Sequence, residues 1–389
     1  MIEIKEKANC CGCTACFNIC PKKCISMCED EEGFKYPRVD KNLCINCNMC
    51  EKVCPILHKP VLNNSNIGAF VARDKREQVL INGTSGGLFT SIMEYVLKNN
   101  GVAYGVIVDD DKVVKHVRID SLDSKNFNRI PNSKYVQSDL TNIFTLVIND
   151  LKDNKLVVFS GTPCQVAGLY NFIGKGNKNL VTIDIVCHGT PSPLAWKKYV
   201  EFQEHKHKSK IVDARFRNKT YGYHSGGMRL VFANGKRFYC SARTDLFLKS
   251  FFLDLCSRPS CYGCKFKDKV HASDLTLFDS WHVEKLIQNV PDDNKGFTNI
   301  LVNSEKGKEI IEKIAGSVLL YPSNFEKSIE LDGVMVSNSV KWNDKRTHYF
   351  ENIKNESFDK HCNKFFHNSF KDKMIERLKK IYYIGKGYR

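Results

Sequence analysis

Cys10, Cys13, Cys16 and Cys20 are spaced C-x2-C-x2-C-x3-C and followed by Pro21; Cys44, Cys47, Cys50 and Cys54 repeat the pattern before Pro55. Three thiolates at three-residue intervals curl around one face of a 4Fe–4S cubane, while the fourth leaves along a short helix and ligates the neighbouring cubane. The spacing therefore assigns cluster I to Cys10, Cys13, Cys16 and Cys54, and cluster II to Cys44, Cys47, Cys50 and Cys20. Cys11, Cys24 and Cys28 fit neither register and read as packing or spare thiols. Structural zinc is the competing metal, but it favours two C-x2-C pairs well apart rather than two tight runs.

Cys164, Cys187, Cys261 and Cys264 form a second constellation. Cys164 and Cys187 each follow an apolar, strand-like stretch, and Cys261 and Cys264 make a C-x2-C in a Pro/Gly loop. A lone buried cysteine is usually a small hydrophobe, and a single C-x2-C is weak evidence for metal. Loops at strand ends, however, meet on the edge where open α/β sheets bind ligands. The four could enclose a third cluster, with a four-thiolate zinc site as the alternative.

The elements that would position these residues follow from hydrophobic period and turn signals. Residues 1–58 form the cysteine-rich module, and 58–66 reads as a polar linker. Strands are expected at 67–73, 102–108, 113–119, 156–160, 180–186 and 297–303, with strand-like pattern over 211–239. Helices are expected at 88–98, 139–151, from 165, at 245–255, 305–314 and 372–383. Strands alternating with helices argue for a mostly parallel α/β sheet. The fold class is thus α+β: a small N-terminal module, then a larger α/β domain with a mixed sheet over 67–330, then a basic, partly helical extension over 331–389.

The chain has 389 residues and 18 cysteines, too long and too metal-like in spacing for a secreted disulfide scaffold. The N-terminus carries no apolar leader and no apolar run reaches membrane-spanning length, so a cytoplasmic, soluble protein of a reducing, low-oxygen compartment is expected. The formal charge of +16 falls to about +10 once three clusters each bring about −2. The basic residues are dispersed, and no nucleic-acid motif accompanies them. An acidic redox partner or an anionic cofactor fits the charge better than a nucleic acid.

The order of longer motifs adds a resemblance. S-G-G-L-F (85–89), S-K-Y-V-Q-S (133–138), G-T-P-C-Q-V-A-G-L (161–169), C-H-G-T-P-S (187–192), R-P-S-C-Y-G-C-K-F (258–266) and S-D-L-T-L-F-D-S-W (273–281) follow a segment patterned as a bacterial two-cluster ferredoxin. In this arrangement the chain resembles the beta-subunit family of coenzyme F420-reducing hydrogenase and F420H2 dehydrogenase, over residues 1 to about 320. The resemblance implies an iron–sulfur flavoprotein with FAD beside a 4Fe–4S cluster. It carries cluster ligation to Cys164, Cys187, Cys261 and Cys264, with Cys256 as a weaker substitute. It carries the flavin-phosphate turn to Ser85, Gly86 and Gly87, where a helix start also offers backbone N–H groups. Lys134, Gln137 and Ser138 match a loop near the flavin. The family's G-D-F-W-G is replaced by Phe278-Asp279-Ser280-Trp281-His282, and a basic residue before S-D by His271-Ala272.

The expected function is electron transfer between a one-electron carrier such as ferredoxin and a small two-electron substrate, for which F420 is a candidate. Flavin converts between the two kinds of chemistry. His188, beside Cys187, is a weak candidate proton donor. The alternatives are a ferredoxin-dependent reductase of an organic substrate linked to cell-surface polysaccharide metabolism, and a non-enzymatic electron-transfer subunit. No dinucleotide fingerprint appears, and homo-oligomerisation is left open.

Overall fold

The computed structural model describes residues 1–60, 67–174 and 177–385, so residues 61–66 of the expected linker lie outside the described residues. Each cysteine run contains a short helix, Ala15–Ile19 before Cys20 and Met49–Lys52 before Cys54, and the two pack together. Between the runs, β1 (Ile25–Glu29) and β2 (Lys35–Val39) form an antiparallel hairpin that the cysteine-dominated sequence did not reveal.

The next strands are β3 (Gly68–Asp74), β4 (Val102–Val108), β5 (Val114–Ile119), β6 (Val157–Gly161) and β7 (Leu180–Ile185). Then come β8 (Ile211–Asn218), β9 (Gly227–Phe232) and β10 (Arg237–Ser241), a separate antiparallel sheet. β11 (Leu275–Asp279), β12 (Thr298–Val302) and β13 (Val318–Pro322) return to the main sheet, ordered β13-β3-β12-β11-β7-β6-β4-β5. Only β4, β6, β7 and β11 run parallel to their mutual neighbours; β5 on one side and β12, β3 and β13 on the other are antiparallel. The mostly parallel sheet expected from alternation is corrected to a parallel centre with antiparallel flanks.

Buried aliphatics fix both faces of that sheet. On one face, Leu88, Ile92, Met93 and Val96 of helix Leu88–Lys98 pack with Ile310, Ile311 and Ile314 of helix Glu305–Ile314. On the other, Phe144, Val147, Val166 and Leu169 come from helices Ile143–Lys152 and Pro163–Ile173, joined by Ala15, Val53 and Ile56 of the N-terminal module. A third, aromatic core joins Trp196, Tyr199, Phe216, Phe247 and Phe251 to Tyr349 and Phe358 from the C-terminal stretch. Within the same region Arg346 makes a two-pronged ion pair with Glu32, one prong at 2.9 Å, and donates to the Ser257 carbonyl at 3.1 Å. The C-terminal stretch thereby clamps the β1–β2 turn against the loop that carries Arg258. Among the described residues no helix is long and apolar enough to cross a membrane.

Candidate functional site

The doubled cysteine motif is matched by a doubled backbone. Gly12 and Thr14 have φ of 72° and 63°; Asn46 and Asn48, at the same offsets in the second run, have 53° and 57°. Thr14, being β-branched, is unusual there. Left-handed residues alternating with ordinary ones turn successive N–H groups into a concavity that suits an anionic cluster. The Cys16 thiol is pushed up by burial and then by Cys10 and Cys54, and Cys13 also feels Cys10 and Cys16, so the four residues assigned to cluster I are neighbours. Cys20, Cys44, Cys47 and Cys50 line one small cavity with Cys24, whose Sγ is 3.4 Å from that of Cys20. Ile2 N–H donates to Cys50 Sγ at 3.3 Å, the kind of contact that tunes a cluster's potential. Cys28 lies apart on β1, 3.5 Å from the Ser26 hydroxyl.

The second constellation gathers where β6 and β7 end. A Pro at the helix start and a Thr162/Gln165 capping box set the first turn of helix Pro163–Ile173, which presents Cys164. Cys187 follows β7, and Cys261 closes a short turn from Pro259. Cys164, Cys187, Cys261 and Cys264 line a single small cavity, and Cys11 joins them. Burial pushes the Cys187 and Cys261 thiols up, and raises Cys264 to about 12 with Cys164 adding to it. Cys164 is held up first by its hydrogen bond with Cys11, then by burial. Cys11, read from spacing as a spare thiol, thus bridges the first cysteine run and the second constellation. Cys256 packs instead in the aromatic core, away from that cavity. Among the described residues no three His, Cys, Asp or Glu side chains are drawn around one point as a single bound ion requires.

Between the thiol groups stands Arg258, fully buried. It donates to the Cys10 carbonyl at 2.7 Å, to Gln137 Oε1 at 2.8 Å and to the Lys35 carbonyl at 3.1 Å, and lies over the Tyr36 ring at 4.2 Å. None of these partners is a carboxylate. Burial works against its charge, and Cys10, Tyr36, Cys11 and Cys261 outweigh that. A guanidinium out of water costs several kcal/mol, of order 5, unless it is paired. Thiolate-held iron on either side would supply the counter-charge, so the donor sets fit clusters. Helix Pro163–Ile173 comes so close that a Cβ on Gly168 would meet Cys13 Sγ at 2.8 Å.

A cavity of about 520 Å³ shares Thr162, Cys187, His188, Gly189 and Thr190 with the thiol cavity. Its size and largely apolar lining suit an organic cofactor. Ser85 and Gly87 line it at the start of helix Leu88–Lys98, and Lys134 and Ser138 line it from the following loop. Gly86 does not: its N–H donates to Thr298 Oγ1 at 2.9 Å, and a Cβ there would meet the Ala72 carbonyl at 2.5 Å. Ser85 Oγ donates to the Phe297 carbonyl at 2.5 Å, so the serine pins the turn to the chain entering β12. Gln137 also points elsewhere, donating to the Cys11 carbonyl at 3.3 Å beside Arg258. Lys134 donates to the Arg129 and Ile130 carbonyls at 2.6 and 2.7 Å, and burial holds its ammonium well below the usual lysine range. His188 bonds Asp254 at 2.8 Å through Nε2, and Phe251 packs edge-on against its ring, rather than closing onto its own loop.

The far wall was not legible beforehand. Tyr223 stacks on Trp281 with centroids 4.4 Å apart, Arg217 lies 4.7 Å from the Trp281 ring, and Asp279 accepts from Arg217 at 2.5 Å and from Tyr223 at 3.0 Å. In the stretch 278–282, Asp279 and Trp281 belong to this aromatic–ionic wall, while Phe278 and His282 stand at the glycine positions, His282 Nδ1 lying 2.7 Å from an Asp332 carboxylate oxygen. His271, the other departure, is buried and paired with Asp184 at 2.7 Å.

Residues 154–327 match the family model for the C terminus of the coenzyme F420 hydrogenase/dehydrogenase beta subunit. That segment is similar to the family's C-terminal region. A coenzyme F420-dependent sulfite reductase from Methanocaldococcus jannaschii is 27% identical over 168 residues, 43% of this chain and 26% of the relative. An uncharacterized ferredoxin of the same organism is 38% identical over 52 residues, 13% of this chain and 66% of the relative. The chain thus spans about a quarter of one curated relative and just under two thirds of the other. A chain of the F420-reducing NiFe hydrogenase complex from Methanosarcina barkeri aligns with TM-score 0.42 and 16% identity, covering 76% of this chain and 90% of that one.

Ser138, one of the residues lining the cavity, is set by a relay reached from both ends. Gln165 Nε2 donates to its hydroxyl at 2.9 Å; the hydroxyl meets His116 Nδ1 at 3.0 Å; and His116 Nε2 donates to the Ser160 carbonyl at 3.0 Å. The carbonyl can only accept, so the proton sits on Nε2 and Ser138 donates to Nδ1. Burial lowers His116 to about 4. A histidine held neutral in the fold but protonated when unfolded gives stability that is complete above the unfolded value near 6.5. That stability is lost as pH falls toward 4. Denaturant titrations at pH 7 and pH 5 should show about 2 kcal/mol less stability at the lower pH from this group, and His116→Gln should flatten the difference.

Proposed function

We propose that the chain is an iron–sulfur flavoprotein oxidoreductase that passes electrons between a one-electron carrier of the ferredoxin kind and a two-electron substrate, with F420 as one candidate. The observation that carries this reading is Arg258, a buried cation with no carboxylate partner, bonded to the Cys10 carbonyl and influenced by the thiols of both constellations. Eight cysteines of the N-terminal module would hold two 4Fe–4S clusters, and Cys164, Cys187, Cys261 and Cys264 a third, with Cys11 beside it. When bound, the clusters supply single-electron steps and FAD in the adjoining cavity supplies the change from one electron to two.

The chain's own residues then have separable tasks. Ser85, Thr298 and Phe297 pin the turn at the start of helix Leu88–Lys98, whose first-turn N–H groups suit a pyrophosphate. Lys134 lines the same cavity while its Nζ secures the Arg129 and Ile130 carbonyls, and the Tyr223–Trp281 pair with Arg217 walls off the far side. His188, oriented by Asp254, stands where the two cavities meet and can hold a proton at Nδ1. On the outside, Leu43, Ile45 and Met49 are exposed around Cys47, with Lys22, Lys23, Lys41 and Lys52 exposed in the same module. An apolar spot in a basic rim suits the brief docking of an acidic electron carrier.

Anaerobic turnover separates the readings. Oxidation of reduced F420 with a viologen dye supports an F420 oxidoreductase. Turnover with reduced ferredoxin and an organic acceptor, but not with F420, leaves the ferredoxin-dependent reductase. Clusters without bound flavin reduce the protein to an electron-transfer subunit.

A further inference from the structure

The helix Phe370–Gly385 has an anchored face and an unused one. Glu376 is buried and accepts from the Ser241 N–H at 3.1 Å and from Thr244 Oγ1 at 3.0 Å; Lys379 donates to Ser225 Oγ at 3.1 Å; the Tyr383 ring lies 5.3 Å from that of Tyr221. These contacts dock the helix on the small antiparallel sheet and its turns. At about 100° per residue, Phe370, Met374, Leu378 and Ile381 fall within an arc of about 80° on the opposite side. They are 82%, 48%, 58% and 65% exposed.

Such a stripe is not needed to hold the helix in place, and its surroundings carry one sign of charge. Lys371, Lys373 and Arg377 are exposed and flank the stripe on both sides. The acidic residues are otherwise engaged: Glu376 faces inward, and Asp372 accepts from Ser369 Oγ at 2.6 Å at the helix start. An apolar ridge with Lys371, Lys373 and Arg377 on its two flanks, and no free carboxylate beside it among the described residues, has the charge complement of an anionic surface. It matches the pattern of helices that lie in a bilayer surface, apolar side in the acyl boundary and cations among the phosphates.

We propose that helix Phe370–Gly385 seats the protein on an anionic lipid surface, lying in the interface without crossing it. Occupancy of the redox cavity plays no part in this contact, so it stands independently of the proposed activity. Flotation of the full chain with vesicles tests it, one set of phosphatidylcholine with phosphatidylglycerol, the other of phosphatidylcholine alone. The expected result is binding to the anionic vesicles about tenfold or more above the neutral ones, weakened by added salt. F370S/L378S should lower it about tenfold, with helical content and oligomeric state unchanged. If the double variant loses structure, Phe370→Ser alone, at the most exposed position of the stripe, takes its place.

Absence of anionic-vesicle binding overturns the proposal. Binding unaffected by loss of the stripe also overturns it, since adhesion would then come from general surface charge. A dimer in lipid-free solution that the double variant converts to monomer overturns it too, because a second copy would be the occupant.

Discussion

Cys261→Ser is expected to remove about four iron and four sulfide, one cubane's complement, from the about twelve of each that the proposed three clusters would bring. Four thiols from three separate stretches of the chain line one cavity, and the serine oxygen is a much poorer ligand for iron than a thiolate. The eight N-terminal cysteines should keep their iron, because their concavities are built by local backbone and by the packing of helices Ala15–Ile19 and Met49–Lys52. Flavin reduction by an external one-electron donor should slow by orders of magnitude, with flavin content little changed. Cys256→Ser is the matched control: that thiol is buried among aromatic side chains and should leave the iron count untouched. Iron and sulfide analysis of anaerobic preparations, beside stopped-flow flavin reduction, checks both variants.

Arg258→Met should be nearly as severe, for a different reason. Methionine keeps much of the volume over Tyr36 but removes the charge and all three hydrogen bonds. The carbonyls of Cys10 and Lys35 and the Gln137 side chain are then left short of a donor in a buried seam. Hydrogen bonds to a charged group contribute about 1.5–3 kcal/mol each, so a loss of about 5 kcal/mol of stability is expected. Any folded fraction should show cluster potentials lowered by on the order of 100 mV, the effect of deleting a unit positive charge a few ångströms away at an effective dielectric constant near 20. Denaturant melts give the first effect and redox titration the second. Lys, which retains charge but cannot span three acceptors in a fork, should restore part of the potential and little of the stability.

How far the sequence carried depends on the range of the determining contacts. Helices Leu88–Lys98 and Glu305–Ile314 were legible to the residue, because apolar period, caps and breakers all act within a few positions. The spacing of the eight N-terminal cysteines carries the cluster proposal by itself, and the left-handed residues at matching offsets show that the two runs share a local backbone. Strand direction at the flanks was not legible, since β3 sits between β12 and β13, more than two hundred residues later in the chain. Arg258 reaches Cys10 across 248 residues, and its motif gave no hint of a buried cation. Cys11 looked surplus because it broke a local register; its neighbour is Cys164, on another element. The S-G-G turn was recognisable as a helix start, but only packing shows that Gly86 serves close approach to β3 and β12 while Ser85 and Gly87 face the cavity. Gln137 and Ser138 are adjacent in sequence yet serve different seams, one beside Arg258 and the other the His116 relay.

The central claim is that buried thiols hold iron clusters on both sides of Arg258, next to a flavin. Protein prepared without oxygen should contain about twelve iron, about twelve acid-labile sulfide and one releasable FAD per chain. Zinc in place of iron, or a preparation fully loaded with metal that releases no flavin, would contradict it.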